Sequence, residues 1–171
     1  MKYIIPVIIL SLVLLSCSKD EEGETTNTLI CSGTSTGSGP TFGNVTLEEA
    51  AYLSTCFSKY KLQMEFKNNS SAQYTTLVYD DTSCSGTASS SSMCLESITV
   101  SSTTVTKPTY VDGTVSDNVT GYATTGIFSH NSSTLYMSIY AESTSVFWFE
   151  QASEQATLDS NTAYTYKFTK Q

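Results

Sequence analysis

From Tyr60 to Lys67 the chain alternates strictly: Tyr60, Leu62, Met64 and Phe66 fall on one side of an extended backbone, and Lys61, Gln63, Glu65 and Lys67 on the other. Period two is the mark of a strand with one buried and one wet face. Alternating or strand-rich stretches recur at Gln73–Tyr79, Leu95–Ser101, Thr103–Val111, Val119–Phe128, Thr134–Ala141, Thr144–Glu150 and Ala163–Thr169. Asn68–Ser71, Asp112-Gly113, Asp117-Asn118, Ser129–Ser133 and Asp159–Asn161 supply turn chemistry between them. About eight sequential strands joined by short turns predict an all-β antiparallel meander, closed into a barrel or folded as a β-sandwich.

One stretch reads differently. Thr46, with Glu49 three residues on, makes a capping-box pattern ahead of Ala50, Ala51, Tyr52, Leu53 and Cys56. It predicts one short N-terminal helix of about two to three turns.

The N-terminus carries a separate signal. Lys2 precedes an uncharged, largely apolar run from Tyr3 to Ser16, too short for a bilayer span of about 20 residues and built like an export signal. Leu14-Leu15-Ser16-Cys17 resembles the lipobox of bacterial lipoproteins. That resemblance implies cleavage before Cys17 and acylation of Cys17, with each buried methylene contributing about 0.8 kcal/mol to membrane attachment. Ser18 stands where an Asp would favour inner-membrane retention, so the resemblance implies the outer membrane. Lys19-Asp20-Glu21 is similar to a surface-export signal of Bacteroidetes lipoproteins. The chain thus divides into a signal peptide (1–16), the lipidated cysteine with a flexible acidic tether (17–28) and a single β domain (29–171). About eleven flexible tether residues reach roughly 18 Å, enough to clear the lipid head groups.

Charge removes one class of partner. The chain has a net charge of −8 and its eight basic residues are all lysines, so it would repel phosphate backbones and offers no guanidinium fork. Nucleic acid is not an expected partner. With Cys17 assigned to lipid, Cys31, Cys56, Cys84 and Cys94 remain, an even set that reads as two disulfides in an oxidising compartment. Joining Cys84 to Cys94 would staple the Ser-rich stretch between them and leave Cys31 with Cys56. The alternative joins Cys56 to Cys84 and Cys31 to Cys94, and spacing does not choose. The same spacings do not suit zinc, which the single histidine also disfavours, and no cofactor is expected.

The strand Tyr60–Lys67, the segment Tyr79-Asp80-Asp81-Thr82-Ser83-Cys84 and the closing Tyr164-Thr165-Tyr166-Lys167-Phe168 together resemble a lipocalin-like barrel lipoprotein. Tyr79, Asp81 and Cys84 are also similar to an element of the eukaryotic adenomatosis-polyposis-coli down-regulated family. The resemblance implies a non-catalytic, envelope-anchored binder of a small apolar ligand. In the simplest partition Leu, Met, Ile and Phe fill the core and Tyr faces outward. If the barrel has an open mouth, Met64, Phe66, Phe147, Phe149 and Phe168 would line an apolar pocket. The alternative role is an adhesin- or inhibitor-type surface module recognising glycan or protein through Tyr and Ser/Thr faces.

Catalytic patterns are sparse. His130, the single histidine, lies in the turn-like Ser129–Ser132 segment, and there is no nucleophile elbow, phosphate loop or zinc-protease motif. Asp80 and Asp81, adjacent on an extended chain, should point apart and so not act as a glycosidase pair. Asp112 to Asn118 is oxygen-rich but lacks the order of a calcium loop and reads as a turn. No enzymatic activity is expected.

Overall fold

A computed structural model describes residues 31, 33–111, 114–152, 154, 158 and 163–171. The expected signal peptide, lipidated Cys17 and tether, and the turns expected at Asp112-Gly113 and Asp159–Asn161, lie outside the described residues. The elements are β1 (Thr41–Phe42), β2 (Val45–Thr46), β3 (Ala51–Ser54), β4 (Tyr60–Phe66), β5 (Ala72–Val78), β6 (Ser89–Val111), β7 (Thr114–Phe128), β8 (Thr134–Ser143), β9 (Val146–Ala152) and β10 (Tyr166–Lys170). β1 and β2 form a small hairpin, and the other eight close into an antiparallel barrel in the order β10-β3-β4-β5-β6-β7-β8-β9. Closure decides between the two expected architectures, because a sandwich leaves sheet edges that this barrel joins through β10 and β3.

Alternation sets the inside. Leu62, Met64 and Phe66 of β4, Ala72 and Tyr74 of β5, Leu135, Met137, Ile139 and Ala141 of β8, Phe147 and Phe149 of β9, and Phe168 of β10 belong to one buried cluster. Tyr136 and Tyr140 lie on the other face of β8 and stay partly exposed, as the alternation predicts. The exclusion of tyrosine from the core does not hold, since Tyr52 and Tyr74 are buried in the same cluster. Their hydroxyls find partners: Tyr52 Oη donates to the Thr144 carbonyl at 2.8 Å and Tyr74 Oη to Gln151 Oε1 at 2.9 Å, which removes the cost of burying them.

The predicted helix is absent from Thr46–Cys56. Thr46 pairs with Thr41 across the β1–β2 hairpin, and Glu49, instead of capping a helix, accepts from Ser35 Oγ and the Thr36 and Gly37 amides at 2.9–3.2 Å. Ala51–Ser54 then becomes β3, with Tyr52 and Ser54 buried and Ala51 and Leu53 half-buried. Four residues fit both periods, and here the barrel's need for an eighth strand prevails over local propensity. The strand count matches expectation for a compensating reason. The two strands expected at Leu95–Ser101 and Thr103–Val111 are one strand, β6, which also absorbs Ser89–Ser92, and Asp117-Asn118, expected as a turn, lies within β7.

β6 and β7 outrun the barrel. β7 pairs with β8 only from Tyr122 to Ile127, yet it continues with β6 to Val111↔Thr114, with irregularities at Glu96/Thr99, Val100/Thr104 and Pro108/Tyr110. Such irregularities bend and twist a two-stranded ribbon, and this ribbon folds back along the wall. Thr109 bridges Tyr164, the Tyr110 amide donates to the Tyr164 carbonyl, and the Tyr164 amide donates to that of Pro108.

The disulfides are Cys31–Cys94 and Cys56–Cys84. The alternative Cys84–Cys94 bridge would have to span a loop that is instead partly strand, with Cys94 buried on β6 and Cys84 drawn toward the β3–β4 turn.

Candidate functional site

The two ends of the barrel differ. At one end, where β8 turns into β9 and β4 into β5, the N-terminal hairpin packs Phe42 and Leu47 into the core. Tyr52 ties Glu48 to Thr144 there, accepting from the Glu48 amide at 2.9 Å while its own hydroxyl reaches the Thr144 carbonyl. Lys170 pairs with Glu48 at the same end.

At the opposite end lie the β3–β4 turn, the 79–88 loop with its Cys56–Cys84 staple, and the Ser129–Ser133 turn. Tyr60, on the lumen-facing register of β4, is 38% exposed. Tyr166, on the lumen-facing register of β10, is half-buried, and its ring meets Phe57 edge-on at 5.9 Å. Burial pushes the Tyr166 phenol upward, and nearby Tyr60 adds to the shift. Burial likewise raises the Tyr74 phenol, with Tyr166 contributing. Tyr60 is thus exposed, Tyr166 half-buried against the core and Tyr74 buried within it.

Aromatic contact continues downward from this rim. Tyr74 lies 6.4 Å from Phe149 and 6.3 Å from Phe128. Phe149 meets Phe168 edge-on at 5.6 Å, and Phe168 stacks on Phe147 at 4.6 Å. Phe147 in turn touches Phe66 and Tyr52. Of the five residues expected to line a pocket, Phe66, Phe147, Phe149 and Phe168 are thus linked ring to ring. Met64 is buried in the same cluster. All five lie in the hydrophobic core, each at most 2% exposed.

Sequence reasoning missed the rim itself. Tyr60 and Tyr166 share the parity of Leu62 and Phe168, so their inward register was available from alternation. What alternation lacks is the identity of the strand end, which tells a core tyrosine from a rim tyrosine.

A second polar centre lies outside the barrel wall, beneath the folded-back ribbon. Lys107, 4% exposed, donates to Glu150 Oε2 at 2.5 Å and to the Leu158 carbonyl at 2.5 Å, and stands 5.7 Å over the Tyr164 ring. Tyr164 Oη lies 2.7 Å from Ser138 Oγ and 3.3 Å from the Val105 carbonyl. Burial holds the Tyr164 phenol up at about 12. Glu150 and Ser138 occupy the registers opposite to the core-facing Phe149 and Met137, so this cluster joins ribbon to wall and does not enter the lumen.

The catalytic expectations find these placements. His130 is exposed in its turn, 5.9 Å from the Phe128 ring. Asp81 accepts from Ser83 and Ser85, which hold its carboxyl down at about 2, while Asp80 is exposed beside it. Asp117 is exposed on β7, and Asp112 lies outside the described residues. Among the described residues no cluster of His, Cys, Asp and Glu has the arrangement of a metal site. No protein-family model matches the chain, and no curated protein or solved structure is significantly similar to it.

Proposed function

We propose that this protein is a non-catalytic binding module of the cell envelope, held at the outer membrane by acyl chains on Cys17, that takes a small, largely apolar ligand at the tyrosine-rimmed end of its barrel. The observation that carries the reading is the aromatic make-up of this end of the barrel, with Tyr60 exposed and Tyr166 half-buried at the rim above a ring-to-ring run from Tyr74 through Phe149 to Phe168. Such a gradient gives a ligand an apolar floor and hydroxyls at the entrance, the composition of small-molecule sites. Placing the ligand among the ring edges costs little ordering, because aromatic side chains have few rotamers to lose. The lipobox-like Leu14-Leu15-Ser16-Cys17 supports the anchor.

Native mass spectrometry of the full chain, released from detergent after incubation with envelope lipid extract, tests the binding reading. One bound small molecule per chain, reduced at least tenfold in Phe149→Ala and Tyr166→Ala variants that keep both disulfides, is the expected result. A bare chain under all conditions overturns it and transfers the function to the outer surface, where a glycan- or protein-binding module would act. The anchor is tested apart: palmitate label should enter the wild type and be lost in Cys17→Ala, and equal labelling refutes acylation there.

A further inference from the structure

The two disulfides sit in different surroundings. Cys31 and Cys94 are both buried, and Cys94 lies within β6, held there by its pairing with Gln73 of β5. In the second pair Cys84 is buried but Cys56 only half-buried, so one sulfur of that bond can be reached by a thiol from solution. Neither cysteine of this pair belongs to a strand: Cys56 follows β3, and Cys84 lies in the 79–88 loop.

Backbone strain gathers at the same bond. Among the described residues the non-glycine positions with left-handed φ are Ser58, Lys59, Cys84, Ser97 and Ser132, and the first three are at or beside Cys56–Cys84. Phe57 and Tyr60 exchange both amide-to-carbonyl bonds across a two-residue turn, whose central Ser58 and Lys59 take φ of 50° and 78°. Asn-Gly suits such a turn, whereas Ser-Lys is strained in it. Cys84 itself takes φ of 52°. Conformations of this kind persist only where the surroundings over-determine them, and the covalent link from Cys56 to Cys84 is part of that constraint.

The same geometry accommodates the reduced state. Cys56 Sγ stands 3.2 Å from the Thr82 carbonyl oxygen and Cys84 Sγ 3.6 Å from that of Tyr60, so each freed thiol has an acceptor at hand. Asp81 accepts from Ser83 and Ser85, which holds the loop together from within once the staple opens. The β3–β4 turn, with Ser58 and Lys59, is the part that gains by moving.

We infer that Cys56–Cys84 is a redox-labile bond, opened by a dithiol reductant ahead of Cys31–Cys94, and that its opening loosens the β3–β4 turn and frees Phe57 from its contact with Tyr166. One thiolate of the reductant attacks Cys56 Sγ, the accessible sulfur, and Cys84 leaves as a thiolate that takes up a proton. The second thiolate attacks the reductant's own sulfur in the mixed disulfide and releases Cys56, which is protonated in turn. The reductant ends as a disulfide, having given up two electrons. Accessible disulfides and strained ones are the readily reduced classes, and this bond is accessible and flanked by strain.

The test sets the ratio of reduced to oxidised dithiothreitol over the full chain, after any free thiol has been blocked, then traps new thiols with a mass tag and maps them by peptide. Cys56 and Cys84 should be labelled at a ratio at least about tenfold below that which labels Cys31 and Cys94. In the Ser58→Asn, Lys59→Gly double variant, opening Cys56–Cys84 should need a ratio about tenfold higher, the change expected when the strain of one left-handed residue is relieved. An unmoved Cys31–Cys94 midpoint shows that this variant is folded. Hydrogen exchange at the stage where only Cys56–Cys84 is open should show the Phe57 and Tyr60 amides unprotected and the Met64 amide still protected. Reduction of both bonds together, or of Cys31–Cys94 first, overturns the lability. An unshifted midpoint in the double variant, or unchanged protection of Phe57 and Tyr60, overturns the coupling of bond to turn.

Discussion

Replacing Lys107 by Met isolates what the buried ion pair does for the fold. The side chain is similar in length and apolar, so the ribbon keeps its packing while Glu150 loses its ammonium partner and the Leu158 carbonyl loses a donor. Removing one partner of a buried pair costs about 3–5 kcal/mol, and orphaning a buried carbonyl adds about 1–3 kcal/mol. Partial relaxation of the ribbon offsets part of this, so about 4 kcal/mol is the expected loss, a large share of the roughly 5–15 kcal/mol that holds a domain together. Glu150→Met should cost about 3 kcal/mol, because Lys107 keeps the Leu158 carbonyl and the Tyr164 face. The double variant should cost about 4 kcal/mol, no more than Lys107→Met alone, because the second substitution removes the ion that the first leaves unpaired. Urea unfolding under non-reducing conditions, followed by Trp148 fluorescence, reads all three. Trp148 shares a face of β9 with Glu150 and reports that wall directly. A coupling energy of about 3 kcal/mol is expected from the double-mutant cycle. Single losses below 1 kcal/mol that simply add would refute the view that this pair pins the ribbon.

Four further outcomes follow from the same geometry. Gly121→Ala places a methyl 2.2 Å from Tyr164 Oη and 2.6 Å from the Ile139 carbonyl oxygen, and should cost about 1–3 kcal/mol as overpacking, measured by thermal or urea unfolding. Peptide mapping without reductant should recover Cys31–Cys94 and Cys56–Cys84 linked peptides; a Cys84–Cys94 product refutes the pairing. Loop separations of 63 and 28 residues give an entropic loss of about 4 kcal/mol for Cys31→Ser with Cys94→Ser, and slightly less for the other pair. Tyr164 is neutral in the fold up to about pH 12 and ionises near pH 10 unfolded, so its share of stability is full below pH 10 and lost between pH 10 and 12. A 295 nm titration of wild type against Tyr164→Phe should show that late-ionising phenol disappear, and identical curves would refute its burial.

Much of the barrel was legible in the sequence because strand faces are a local property. Tyr60–Lys67 and Thr134–Ala141 alternate residue by residue, and burial of Leu62, Met64, Phe66, Leu135, Met137 and Ile139 follows from parity alone. The same parity placed Phe147 and Phe149 inward and Trp148 on the other face. The floor of the candidate site was therefore readable, and its rim only half so, since alternation gives a face but no height along the strand.

What tertiary structure alone decided is everything that joins distant segments. Ala51–Ser54 is too short to declare a period, and it became β3 because β4 and β10 offered it backbone partners on both sides. Cys31 met Cys94 because β6 carries Cys94 there, a relation absent from spacing. Lys107 and Glu150 lie 43 residues apart, each an ordinary charged residue on a strand. Only the bent ribbon, laid back over β9, removed both from water and made them a pair. The sequence by itself determined which residues turn inward along each strand, because that depends on neighbours two positions away. Closure, pairing and the burial of charge depended on contacts across the whole chain, and only the folded barrel fixed them.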